Sequence, residues 1–233
     1  MAWVRYLLYF AFITAVMAVL TRLEVHYPGF LKLQVFVNET DSLGTSEFSP
    51  IEIMQPIILS VCGGLMAWVA VFCPSQRPLA FAFGGIAVAA FLREMDYVLD
   101  LLLIDKLYQV FIAITAALVI AYLYRHWRRF RIAIGRSWPS PGLTLLFCGS
   151  VFLFGLVHLV GHEPVWQSIM GDQYVRAAKI AVEEFLELIG YLFWLAGTIE
   201  YVYQAKTIAY QAPQPAARRL RDQRRRSGSS QRR

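Results

Sequence analysis

Charge is scarce in this chain. Only 16% of its 233 residues are Asp, Glu, Lys or Arg and 58% are hydrophobic, whereas ordinary soluble domains carry about 25% charged residues. That balance excludes a typical water-soluble globule, and the mean hydropathy of +0.49 agrees. Cysteine is equally sparse: Cys62, Cys73 and Cys148 are the three present, an odd number with no metal-type spacing. No disulfide framework is expected, and the thiols read as packing groups. The chain contains neither a G-x-x-x-x-G-K phosphate loop nor a G-x-S-x-G nucleophile turn. Ser60 and Ser150 lie in apolar runs, so serine catalysis is disfavoured. No internal inverted repeat is visible either, and the inner halves of the hydrophobic runs look nearly free of polar residues. Both points speak against a transport path.

What the sequence has instead is length of hydrophobic run. Apolar stretches occupy about 3–20, 51–73, 79–99, 107–124, 142–161 and 176–203, each near the roughly 20 residues that cross about 30 Å of hydrocarbon. The first follows Arg5 and no small-x-small cleavage pattern comes after Leu20, so it reads as an uncleaved span. The expected fold is therefore all-α: a polytopic membrane protein with six transmembrane helices in one bundle over residues 1–205. Trp127, Trp138 and Trp166 stand at run ends, where interfacial anchors belong. Gly63, Gly64, Gly84 and Gly85 read as points of close helix approach.

The distribution of charge orients the bundle. The connection 125–136 holds Arg125, Arg128, Arg129, Arg131 and Arg136 with no acid, and Arg5 and Arg77 fall on the same side if the spans alternate. The opposite side receives the loop 21–50, with Glu24, Glu39, Asp41 and Glu47 against Arg22 and Lys32. Positive residues favour the cytoplasm, so both termini are expected there, with the chain in a cell inner membrane. The loop 21–50 is long enough to cap the outer face, and Asn38-Glu39-Thr40 matches a glycosylation acceptor. Residues 206–233 read as a disordered basic cytoplasmic tail. Eight Arg and one Asp in 218–233 supply +7 of a net charge of +6, so the rest of the chain carries −1. A basic tail beside a membrane points to anionic lipid as its partner rather than to nucleic acid.

Ionisable groups within apolar runs are functional-site candidates, and here they collect at one depth. Glu52 and Gln55 open span two on one helix face. Arg93, Glu94 and Asp96 come 14–17 residues after Leu79, roughly 21–26 Å along span three at 1.5 Å per residue. His158 and His162, i and i+4, close span five. Span six carries Glu183 and Glu187 at i, i+4, continued by Tyr191, with Glu184 turned about 100° away. Glu200, near the inner end of span six, reads as snorkelling to the interface. Paired imidazoles at i, i+4 beside carboxylates at the same spacing match the donor pattern of divalent-metal sites, for zinc, iron or manganese. His158, His162, Glu183 and Glu187 are then the candidate ligands. Glu94 or Asp96 would be a general base, and Arg93 a counter-ion or head-group anchor.

The pair His158-x-x-x-His162 with an acid on another span resembles the membrane metallohydrolases that include alkaline ceramidases and adiponectin-type receptors. That resemblance implies a zinc-dependent hydrolase, but the family has seven spans, a third His and a matching Ser. Six spans and no third His in the layer are read here. The leading expectation is a metal-dependent enzyme acting on a lipid-like substrate. A non-catalytic assembly or sensory subunit and a proton- or cation-coupled transporter are the alternatives.

Overall fold

The computed structural model describes residues 2–31, 49–96, 99 and 106–211. Every regular element among them is helical: α1 (Ala2–His26), α2 (Pro50–Phe72), α3 (Arg77–Glu94), α4 (Leu107–Arg125), α5 (Trp127–Ser137), α6 (Pro141–Val160), α7 (Glu163–Met170) and α8 (Arg176–Gln211). Of these, α1 from Trp3, α2, α4 and α6 are long and apolar enough to cross a membrane. Helices also form where the other two spans were expected, α3 with 18 residues including Arg77, Arg93 and Glu94, and α8 with 36 residues including four glutamates; neither is among those four.

Local chemistry starts the helices. Ser49 and Glu52 form a reciprocal cap on α2: the Ser49 hydroxyl accepts the Glu52 N–H at 3.1 Å, and the Glu52 carboxylate accepts the Ser49 N–H at 3.1 Å. Pro50 occupies the first helical turn, where its missing N–H costs nothing. Ser140 and Pro141 repeat the device at α6. At the end of α1 the chain turns back over Tyr27–Leu31, held by Glu24, which accepts the N–H of Gly29 at 2.9 Å and of Leu31 at 2.7 Å.

α8 is the central element, packed against α6 and α2, while α3 lies between α2 and α4. Apolar helices gain little from leaving lipid for one another, so close approach and hydrogen bonding carry the association. α6 and α8 meet backbone to backbone. A Cβ on Gly142 would stand 2.5 Å from the Tyr201 nitrogen, and one on Gly197 2.8 Å from the Leu146 nitrogen. The expected contacts at Gly63 and Gly64 are absent, since a Cβ on either would meet nothing within 4 Å, whereas Gly84 and Gly85 face Met66 and Val119. The middle of the bundle is mostly apolar. Leu59, Cys62, Met66 and Ala87 are buried there, and Phe83 packs edge-on against Trp194 with centroids 6.1 Å apart.

Beyond this apolar middle lies a second polar layer, at the end that bears Arg5 and Arg77. Gln76 accepts from Ser137 Oγ at 2.9 Å and from the Tyr201 hydroxyl at 3.1 Å. Glu200 does not snorkel. It is 4% exposed, 2.7 Å from Arg5 Nε, and accepts from the Tyr9 hydroxyl at 3.0 Å. The expectation that this half lacked polar residues therefore fails. The segment 125–136 is also not a plain loop, since most of it is α5. Cys62 and Cys73 are buried as expected, and Cys148 is exposed. The proposed cap from 32 to 48, the Asn38 triplet and the tail from 212 onward lie outside the described residues.

Candidate functional site

The ends of α2, α3 and α8 away from Arg5 enclose a cavity of about 640 Å³. Its charged lining is Glu52, Arg93, Glu94, Asp96, Glu184 and Glu187, all named from the sequence, and Ser60 adds a hydroxyl. Glu184 and Glu187, at i and i+3, share a face of α8, Arg93 and Glu94 close α3, and Asp96 follows two residues beyond its end. The apolar wall is formed by Ile53, Pro56, Ile57 and Val61 of α2 with Phe91 and Met95. Sequence reading missed that wall. Ile53, Ile57 and Val61 stand one turn apart, and each is also exposed on the outside of the bundle, so the cavity opens through the flank of α2.

The charged groups are bound to one another in a fixed pattern. Arg93 Nη2 donates to Glu187 Oε1, and Arg93 Nε lies 3.9 Å from Glu94. The Tyr191 hydroxyl donates to Glu94 Oε1 at 2.7 Å. Gln55 Nε2 donates to Glu184 Oε2 at 3.0 Å, from a side chain with no exposed surface. Gln55 Oε1 is buried without a hydrogen-bond partner among the described residues. Glu52 adds its capping role at Ser49 to its place in the wall. Besides Asp96, four carboxylates, Glu52, Glu94, Glu184 and Glu187, line the cavity with one guanidinium.

The candidate metal ligands are distributed differently. His158 and His162 are exposed at the end of α6, and neither belongs to the cavity lining. Glu183 pairs with Lys179, a partner the sequence reading overlooked, and its carboxylate rests against Gly161. Only Glu187 of the four lines the cavity. Among the described residues no group of three or more His, Cys, Asp or Glu side chains is placed to hold a metal ion. A π-helical turn, Phe152–Val157, precedes His158 in α6. The helix then stops at Val160, and His162 is extended at the start of α7, so the i, i+4 face that spacing predicts does not reach His162.

No protein-family model, no curated protein and no solved structure matches this chain. Its function must be argued from the cavity.

Proposed function

We propose that this is a six-span inner-membrane protein, both termini cytoplasmic, whose outer-leaflet cavity binds an amphiphile with a cationic head. The carrying observation is the combination of Glu52, Glu94, Glu184 and Glu187 with one guanidinium in a cavity whose other wall is apolar and open at the flank of α2. A ligand with an amine head would meet Glu184 and Glu52, and its chain would run past Ile53, Ile57 and Val61. A volume of about 640 Å³ lies within the range of small-molecule pockets, about 300–1,000 Å³.

The reading is of a binding or sensory protein. Arg93 and Glu94, offered by the sequence as catalytic groups, are engaged by Glu187 and Tyr191. The apolar middle formed by Leu59, Cys62, Met66 and Ala87 supports a one-sided pocket over a transport path. A metal shared by His158, His162, Glu183 and Glu187 gains no support from their separation.

The test is fluorescence titration of the protein in nanodiscs with a dansylated long-chain amine and the matching alcohol. The amine should bind, and Glu184→Gln with Glu52→Gln should weaken it by about tenfold or more, the scale of one charged hydrogen bond. Equal binding of amine and alcohol, or an unaffected double variant, would refute the proposal.

A further inference from the structure

α5 is the other unabsorbed feature of the fold. It has 11 residues and joins α4 to α6, two helices long and apolar enough to cross a membrane. His126 alone links it to α4, and Trp138–Ser140 link it to α6. A helix tied that tightly between the same-side ends of two spans is held at the bilayer surface. Trp127 and Trp138 bracket it, and both are exposed at 54%, as interfacial tryptophans are.

Its two faces have opposite chemistry. Ala133 and Ser137 are buried, Phe130 and Ile134 pack on the core, and Ser137 is fastened to Gln76. At 100° per residue these four share one side. Arg128, Arg129, Arg131 and Arg136 fan over the opposite side, all exposed. Arg125 stands just before them, and residues 125–138 contain no acid. None of the ion pairs among the described residues uses these guanidiniums.

From this we infer that the outward face of α5 is a docking surface for anionic phospholipid head groups. Four guanidiniums fixed at head-group depth, without a carboxylate partner among the described residues, take their counter-charge from lipid phosphate. Arg suits this role because its planar fork donates two hydrogen bonds to one phosphate. The surface is distinct from the tail and from the acidic cavity, and it stands independently of the cavity's ligand.

Native mass spectrometry of the full-length protein in detergent, titrated with phosphatidylglycerol and with phosphatidylcholine of the same chains, tests it. Wild type should retain phosphatidylglycerol preferentially. Each arginine replaced by Gln should lower that preference roughly fivefold, from about 1 kcal/mol per charge near a membrane surface. The quadruple variant R128Q/R129Q/R131Q/R136Q, made in a chain ending at Gln211 so that the basic tail does not contribute, should show none. The pair R128Q/R131Q gives the same reading if the quadruple variant fails to fold. A chain ending at Gln211 should keep the preference, which separates α5 from the tail. Equal retention of the two lipids by wild type, an unchanged preference in the arginine variants, or its loss on tail removal alone would each overturn the inference. So would preferential capture of a short RNA or acidic peptide without lipid selectivity.

Discussion

The hydroxyl of Tyr191 on α8 donates to Glu94 on α3 at 2.7 Å, while Arg93, one residue earlier, reaches back to Glu187 on α8. The two contacts cross-link the same pair of helices in opposite directions, donor from α8 in one and from α3 in the other. Both partners on α8 lie on the face that spacing of four residues creates. The acidic end is therefore a stitched structure, and its pieces depend on one another.

Tyr191→Phe tests one stitch. Removing the hydroxyl leaves the ring volume intact and deprives Glu94 of a donor, at a cost of about 1–3 kcal/mol for a polar group left unsatisfied. In a chain of this length that corresponds to a fall in Tm of about 2–4 °C per kcal/mol. Thermal unfolding in detergent measures it. An unchanged Tm would mean that the hydroxyl contributes nothing to the bundle.

Arg93→Ala tests the other stitch and how the two are coupled. Glu187 is 3% exposed, so removing its partner strands a buried carboxylate, whereas removing both charges does not. Arg93→Ala alone should cost roughly 1–3 kcal/mol, and adding Glu187→Gln should recover part of that loss. Simple additivity in this double-mutant cycle would contradict a direct interaction.

How the sequence could reveal this end and not the other comes from the physics of each. Charges in apolar runs stand out because lipid makes them costly, so Glu52, Gln55, Arg93, Glu94, Asp96, Glu184, Glu187 and Tyr191 were all legible. The helices were legible from the length of their apolar runs. The end of α6 at Val160 had no such signal, because the apolar run continues to Gly161 and His162 follows at the spacing of one more helical turn. The pairing of Glu200 with Arg5 and Tyr9 joins residues almost the whole chain apart, a relation that no spacing rule contains. The sequence reading treated 125–136 only as a basic connection, yet its apolar residues recur at Phe130, Ala133 and Ile134, the spacing of a helix that buries one side.

The proposed orientation has a direct check. In a background with Cys62, Cys73 and Cys148 replaced by Ala, Arg131→Cys on α5 and Gln167→Cys on α7 place single thiols on exposed positions at opposite ends. A membrane-impermeant maleimide should label the α7 site in intact cells and the α5 site only after permeabilisation. Labelling of both from one side would remove α6 as a span, and the reverse pattern would invert the protein.

The sharpest packing prediction contrasts glycines. Gly142→Ala sets a methyl group 2.5 Å from the Tyr201 backbone nitrogen, and Gly197→Ala sets one 2.8 Å from the Leu146 nitrogen. Backbone cannot swing aside as a side chain does, so α6 and α8 must separate, with an overpacking cost of about 1–3 kcal/mol each. Gly64→Ala meets nothing within 4 Å and replaces a poor helix former with the best one, worth up to about 1 kcal/mol in favour of the helix. Thermal unfolding of the three variants in one detergent should lower Tm for the first two and leave the third unchanged or higher. A destabilised Gly64→Ala beside tolerated changes at Gly142 and Gly197 would mean that the close helix contact runs along α2 and not between α6 and α8.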